Sequence, residues 1–207
     1  MEVVFFVIIL VMSVVIHEVS HGWAAYFLGD QTAKHAGRLT LNPISHIDPV
    51  GSILVPLALA VLSPGFIFGW AKPVPYNPYN LRGGKWGPAI VAVAGPISNL
   101  VIAVFFSFLI RFVPVFSLTT MTGIISAQIV LLNIVLAIFN LFPLPPLDGS
   151  KVLFAVLPYR LRQIEEFMVR YQLILIIILL FTVSGILLPI VAVIFYLLTG
   201  TDIGVIF

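Results

Sequence analysis

VVFFVIILVMSVVIHEVSHGWAAYFL, residues Val3 to Leu28, is apolar except for Ser13 and a short polar cluster, His17-Glu18-Val19-Ser20-His21, and it is ended by the helix-stop and turn pair Gly29-Asp30. At 1.5 Å per residue, a helix over this stretch is long enough to cross a hydrocarbon core of about 30 Å. The segment therefore reads as a membrane helix. Glu2 stands where a secretory signal carries basic residues, and His17-Glu18 stands where a small-residue cleavage site would fall, so the helix is expected to be retained.

The rest of the chain agrees. Of 207 residues, 61% are hydrophobic and only 9% are charged, against roughly 25% charged in a soluble domain. The mean hydropathy is +1.19. A soluble globular enzyme is excluded. The absence of cysteine excludes a disulfide framework, a cysteine nucleophile and a thiolate metal site, so any metal falls to His, Asp or Glu. The net charge of +2 is too small an excess for a nucleic-acid partner.

Further apolar stretches follow. Arg38 to Asn42 alternates polar and apolar residues as a short strand does. Val50 to Trp70 is apolar but interrupted by Pro56, Pro64 and Gly65, which suits a kinked span or a re-entrant segment. Beyond a polar connection from Ala71 to Pro88, Ala89–Phe112 and Met121–Phe142 are apolar helices. Pro143-Leu-Pro-Pro-Leu-Asp-Gly149 cannot be regular helix, because its three prolines remove donors and clash with the turn before them. Tyr159 to Arg170 gathers Leu161, Ile164, Phe167 and Met168 on one face, as an interfacial helix does. Tyr171 to Thr199 would measure about 44 Å as a straight helix, so it must tilt or bend, with Ser184-Gly185 and Pro189 as the expected places. The expected fold is an all-α polytopic membrane protein of about four to five transmembrane helices, with a re-entrant segment and a short membrane-associated β element. Residues 1–207 form one membrane-embedded domain, with a core over 3–150 and an interfacial plus a C-terminal membrane helix over 151–207.

His17-Glu18-Val19-Ser20-His21 places two imidazoles at i and i+4, on one helix face and one turn apart. That spacing suits one tetrahedral zinc. Glu18 lies about 100° round the helix from His17, close enough to take a proton from a water activated there. Four histidines and four glutamates scattered over this length would produce the pattern about 0.0015 times by chance. Ionisable side chains at bilayer depth also cost about 2.5–3.5 kcal/mol each unless they are paired or serve a site.

A catalytic zinc needs a third protein ligand and an open position. Asp30, His35, His46, Asp48, Asp148, Glu165 and Glu166 are the candidates. Of these, Asp148 alone follows an apolar helix that ends in broken backbone, and such backbone is tolerated at membrane depth only where it lines a cavity or protein interior. Asp148 is therefore the expected ligand. His35 and His46 read as polar loop residues at the membrane interface.

Three separated motifs resemble the site-2 proteases, a family of intramembrane zinc metalloproteases. They are His17-Glu18-Val19-Ser20-His21 in an apolar helix, Gly95-Pro96-Ile97-Ser98-Asn99 near the start of another, and Asn140-Leu141-Phe142-Pro143 leading to Leu147-Asp148-Gly149. Gly37 to Pro43 and Trp70 to Pro75 are similar to the compact bacterial and archaeal members, and no room remains between the motifs for a sensor or peptide-binding domain. The resemblance implies that His17, His21 and Asp148 bind one Zn2+ per chain and that Glu18 is the general base. It further implies that Asn99 and Asn140 position substrate backbone or the developing oxyanion. The competing reading of the two asparagines is hydrogen bonding between buried helices.

The implied activity is hydrolysis of peptide bonds within or next to transmembrane segments of membrane proteins. The partners are then a transmembrane protein substrate and the lipid bilayer. A helical substrate must unwind locally, and the strand-like stretch Arg38 to Asn42 is expected to hold it by strand addition. The alternatives are a membrane metal transporter, which gives Glu18 no role as a base, and a helix-binding pseudoprotease, against which stands the presence of His17, Glu18, His21 and Asp148 together. Topology adds a constraint. If Val50–Trp70 crossed fully, His21 and Asp148 would lie on opposite sides and the ten cations would divide three and seven. If it is re-entrant, the two residues share a side with nine of the ten cations, all but Arg111. The positive-inside rule calls that side cytoplasmic, in the plasma membrane.

Overall fold

The computed structural model describes residues 2–55, 57 and 69–205. Three helices in it are long and apolar enough to cross a membrane: α1 (Glu2–Phe27), α3 (Gly87–Phe112) and α4 (Met121–Asn140). The short α2 (Thr32–His35) follows α1, α5 (Asp148–Val156) follows α4, and α6 (Arg162–Arg170) precedes α7 (Gln172–Thr199). Helix α7 bends by 62° between Thr182 and Gly185, one of the two places expected from its sequence, and its halves count as a fourth span if taken together. The described residues thus supply the lower end of the expected four to five spans.

Small side chains let the helices approach. Ala103 of α3 and Ala127 and Ala137 of α4 are fully buried, and Val130, Ile134, Val191 and Phe195 complete a core shared by α3, α4 and α7. Large apolar side chains such as Phe105, Phe108, Phe112, Leu173 and Phe181 point outward instead. An inside of small residues and an outside of bulky ones is the arrangement that lipid as solvent selects. Asn133 of α4, fully buried, ties that helix to α1 by donating to Ser13 at 3.0 Å.

The end of α1 and the start of α3 lie side by side, because the Arg82 N–H donates to the Leu28 carbonyl at 2.8 Å. Asp30 fastens the same corner. Its Oδ1 accepts from Thr32 Oγ1 and Asn80 Nδ2 and its Oδ2 from the Asn77 N–H, at 2.6, 2.8 and 2.8 Å. Burial pushes this carboxyl up, but the hydrogen bonds from Thr32, Asn80 and Asn77 outweigh it and hold Asp30 below the ordinary carboxylate range. At the other end of α3, Arg111 lies against Gly200, which terminates α7 in the left-handed conformation.

The short β element expected at Arg38–Asn42 is not formed, and no strand occurs among the described residues. Its backbone groups are used locally: Arg38 N–H bonds to Ala33 O, Thr40 O accepts from His46 Nε2, and the Asn42 side chain caps the turn Pro43–His46. The alternation also points the other way from a half-buried strand, with Arg38 buried and Leu41 56% exposed. Burial of Arg38 is explained by its target: its guanidinium donates to the Lys72 carbonyl at 2.7 Å.

Of the Val50–Trp70 segment, residues 56 and 58–68 lie outside the described residues, and with them the breaks expected at Pro56, Pro64 and Gly65. Its two ends meet. Trp70 N–H donates to Gly51 O at 3.1 Å, and Ser52 Oγ donates to Trp70 O at 2.9 Å. The stretch expected to be interfacial is a turn at Tyr159–Leu161 followed by α6, with Ile164 and Phe167 exposed and Met168 buried.

Candidate metal centre

Helix α1 carries His17 and His21 on its buried face, with ring centroids 4.7 Å apart. Asp148 comes to them from a point 131 residues along the chain. After α4 ends at Asn140, the prolines at 143, 145 and 146 keep the backbone irregular until Leu147, whose buried side chain anchors the turn, and Asp148 opens α5. Gly149 is required beside it, since any Cβ there would run into the carbonyl of Leu141. Asp148 Oδ2 thus lies 3.1 Å from both His17 Nε2 and His21 Nε2.

The other nitrogen of each ring is also held. His17 Nδ1 bonds to Asn99 Oδ1 at 3.1 Å, and His21 Nδ1 to the Val91 carbonyl at 2.7 Å, both on α3. Since neither partner atom is a donor, each Nδ1 donates to it, so Nε2 is the ring nitrogen that each imidazole offers to a metal at the common point. Gly95, between those two partners on α3, makes the close approach possible: a Cβ there would lie 2.6 Å from atoms of both imidazoles.

This donor set fits zinc. Two imidazole nitrogens and one carboxylate oxygen converge, with all three ligand atoms within 4.8 Å of one another, and the edge of a tetrahedron with bonds of about 2.0–2.1 Å is about 3.3 Å. The observed separations of 3.1 Å are close to that edge. Three protein ligands leave a position free, as catalytic zinc sites do and structural ones do not.

Glu18 stands beside this cluster and outside it. Its Oε2 accepts from the Val74 N–H at 2.9 Å. Val74 belongs to the stretch Trp70–Tyr76, which is drawn over α1 by Arg38 and packs on Gly22, where a Cβ would meet Val74 and Leu39 at 2.8 and 2.6 Å.

The other sequence candidates are placed elsewhere. Asp30 is the corner clamp described above, and Asp48 caps the turn at Pro49–Leu54. His35 is exposed, whereas His46 is buried, its Nε2 bonded to the Thr40 carbonyl. Glu165, half-buried, and Glu166, exposed, lie on α6, with Glu166 near Arg162. Asn99 is fully buried and its oxygen is engaged by His17, while Asn140 donates to the Leu136 carbonyl of its own helix. Sequence reading missed Val91, Val74 and Lys151. The first two act through backbone atoms, which leave no signature in residue type; Lys151 was detectable as a cation at i+3 from Asp148.

Residues 117–183 match the profile of peptidase family M50. YwhC of Bacillus subtilis (strain 168), named as a candidate zinc metalloprotease, is 39% identical over 160 residues, covering 74% of this chain and 69% of YwhC. Rip2 of Mycolicibacterium smegmatis, named likewise, is 32% identical over 139 residues, covering 67% of this chain and 51% of Rip2. No solved structure matches. The chain belongs to peptidase family M50, the site-2 protease family of membrane zinc metalloproteases.

Proposed function

We propose that this chain hydrolyses peptide bonds within or next to transmembrane segments of membrane proteins, with one Zn2+ held by His17, His21 and Asp148 and with Glu18 as general base. Residues 1–207 act as one membrane-embedded catalytic domain. The observation that carries this reading is the meeting of His17, His21 and Asp148 on one buried point at the end of an apolar helix. Ionisable groups in such a place serve a site far more often than they serve packing.

Bound there, zinc supplies a Lewis acid that polarises the scissile carbonyl and lowers the pKa of water. Asn99 and Val91 hold the imidazoles in the tautomer that presents Nε2. Glu18 takes the proton of the attacking water, oriented by the hydrogen bond from Val74. Asn99 and Asn140 are proposed to meet the substrate backbone, for which the buried Nδ2 of Asn99, without a partner of its own, gives support. With no β element at Arg38–Asn42, a substrate adding to an edge there finds no preformed sheet to extend.

The active site is proposed to face the cytoplasm at the plasma membrane, with Val50–Trp70 re-entrant. Two observations support this. The contact between Leu28 and Arg82 brings the chain back to the side on which α1 ended, and the bonds joining Gly51, Ser52 and Trp70 tie the segment's two ends together. Nine of the ten cations then fall on the side of the site. A reporter tag inserted after Gly69 is expected to be cytoplasmic in a protease-accessibility assay, and a tag found outside overturns the re-entrant reading.

Elemental analysis of purified protein tests the ligand set. One zinc per chain is expected in the wild type, with depletion in His17→Ala and in Asp148→Ala. Zinc retained by Asp148→Ala would mean that another group is the third ligand.

A further inference from the structure

Asp148 uses its two oxygens differently. Oδ2 faces both histidines at 3.1 Å, and Oδ1 lies 3.3 Å from the Nζ of Lys151, one turn further along α5. The carboxylate is buried, whereas the lysine side chain is about one third exposed, so the ammonium reaches a buried carboxylate from a partly exposed position. It does not hang there unsupported. The same Nζ sits 5.6 Å from the centroid of the Tyr76 ring, which offers a cation its negative face. Tyr76 ends the stretch whose Val74 N–H holds Glu18.

We propose that Lys151 is a positioning residue of the metal centre. It engages the outer oxygen of Asp148, so that the carboxylate presents one oxygen alone to the point shared by His17 and His21, and Tyr76 keeps the ammonium in place. The inference rests on the reading of Asp148 as a zinc ligand. A carboxylate opening a helix after an irregular turn has freedom about χ2, which would let it swing between one-oxygen and two-oxygen coordination. A charge-assisted contact to the oxygen that is not needed removes that freedom. Partners of this kind on ligating groups are worth about 10–100-fold in metal affinity.

The test is metal binding by the full-length protein in detergent, measured with zinc alone by chelator competition and with cobalt alone by visible absorption. Lys151→Met, similar in length and without charge, is expected to weaken zinc about 10–100-fold and to change the cobalt spectrum as the carboxylate alters its coordination. Lys151→Arg, which retains a cation able to donate, is expected to restore both. Wild-type affinity and spectrum in Lys151→Met overturn the proposal. So does equal loss in Lys151→Met and Lys151→Arg, because the charge would then not be what positions Asp148. If Lys151→Met does not fold, Lys151→Gln carries the same expectations. Asp148→Ala is measured alongside: should it bind zinc like the wild type, the ligand reading itself has failed, whereas a weakened Asp148→Ala beside an unaffected Lys151→Met isolates the failure to Lys151.

Discussion

Glu18→Gln is expected to lower peptide hydrolysis by about 10²–10⁴-fold, the range that removal of a positioned general base produces, while zinc content stays at the wild-type level. The amide is nearly the same size as the carboxylate and can still accept the hydrogen bond from Val74 through its oxygen, so the stretch Trp70–Tyr76 keeps its anchor on α1. What is lost is the ability to take a proton. The ligand cluster does not include Glu18, which is why metal is expected to remain. The measurement is single-turnover cleavage of a transmembrane substrate beside zinc analysis of the same preparation. A drop confined to the chemical step identifies an interaction made only in the transition state. Undiminished cleavage would move the base to another residue, and a wild type that binds zinc but cuts nothing would return weight to the pseudoprotease and transporter readings.

The parts of the site that sequence made legible are those in which residue type and spacing alone dictate geometry. His17 and His21 are neighbours because any α-helix brings i and i+4 together, whatever surrounds it. Asp148 stood out because three prolines in the six residues from Pro143 deny the backbone a regular helix at an apolar segment's end. The bend of α7 beside Gly185 followed from a helix too long for the bilayer. Contacts made by tertiary approach were not legible. The Nδ1 partner of His21 is a backbone carbonyl, identical in every residue, and that of His17 lies 82 positions away. Arg38–Asn42 misled for the same reason: its alternation is that of a strand, but a strand needs a partner, and here the buried position is an arginine drawn inward by the Lys72 carbonyl. Local pattern is a weak guide where tertiary partners decide.

Gly95→Ala is expected to cost the protein its zinc, although a glycine in a helix interior is ordinarily improved by alanine. The added Cβ would lie 2.6 Å from Cε1 and Nε2 of His17 and from Cε1 of His21, so something must move. The rings have little room to yield, because Asn99 and Val91, which hold their Nδ1 atoms, stand on the same helix as the intruding methyl group. Shifting α3 away from α1 relieves the clash but carries both hydrogen-bond partners with it, and the two Nε2 atoms then no longer converge on Asp148. Overpacking of this kind costs about 1–3 kcal/mol, and here the strain falls on the groups that bind metal. Zinc affinity is expected to fall at least about 10-fold, as when the partners of ligating groups are lost, with helicity retained by circular dichroism. Gly185→Ala is the matched control: its Cβ would meet nothing within 4 Å, and its zinc affinity is expected to equal that of the wild type. A folded Gly95→Ala that binds zinc as tightly as Gly185→Ala would show that α3 can retreat without loosening the imidazoles, and that their hydrogen bonds to Asn99 and Val91 do not determine where they point.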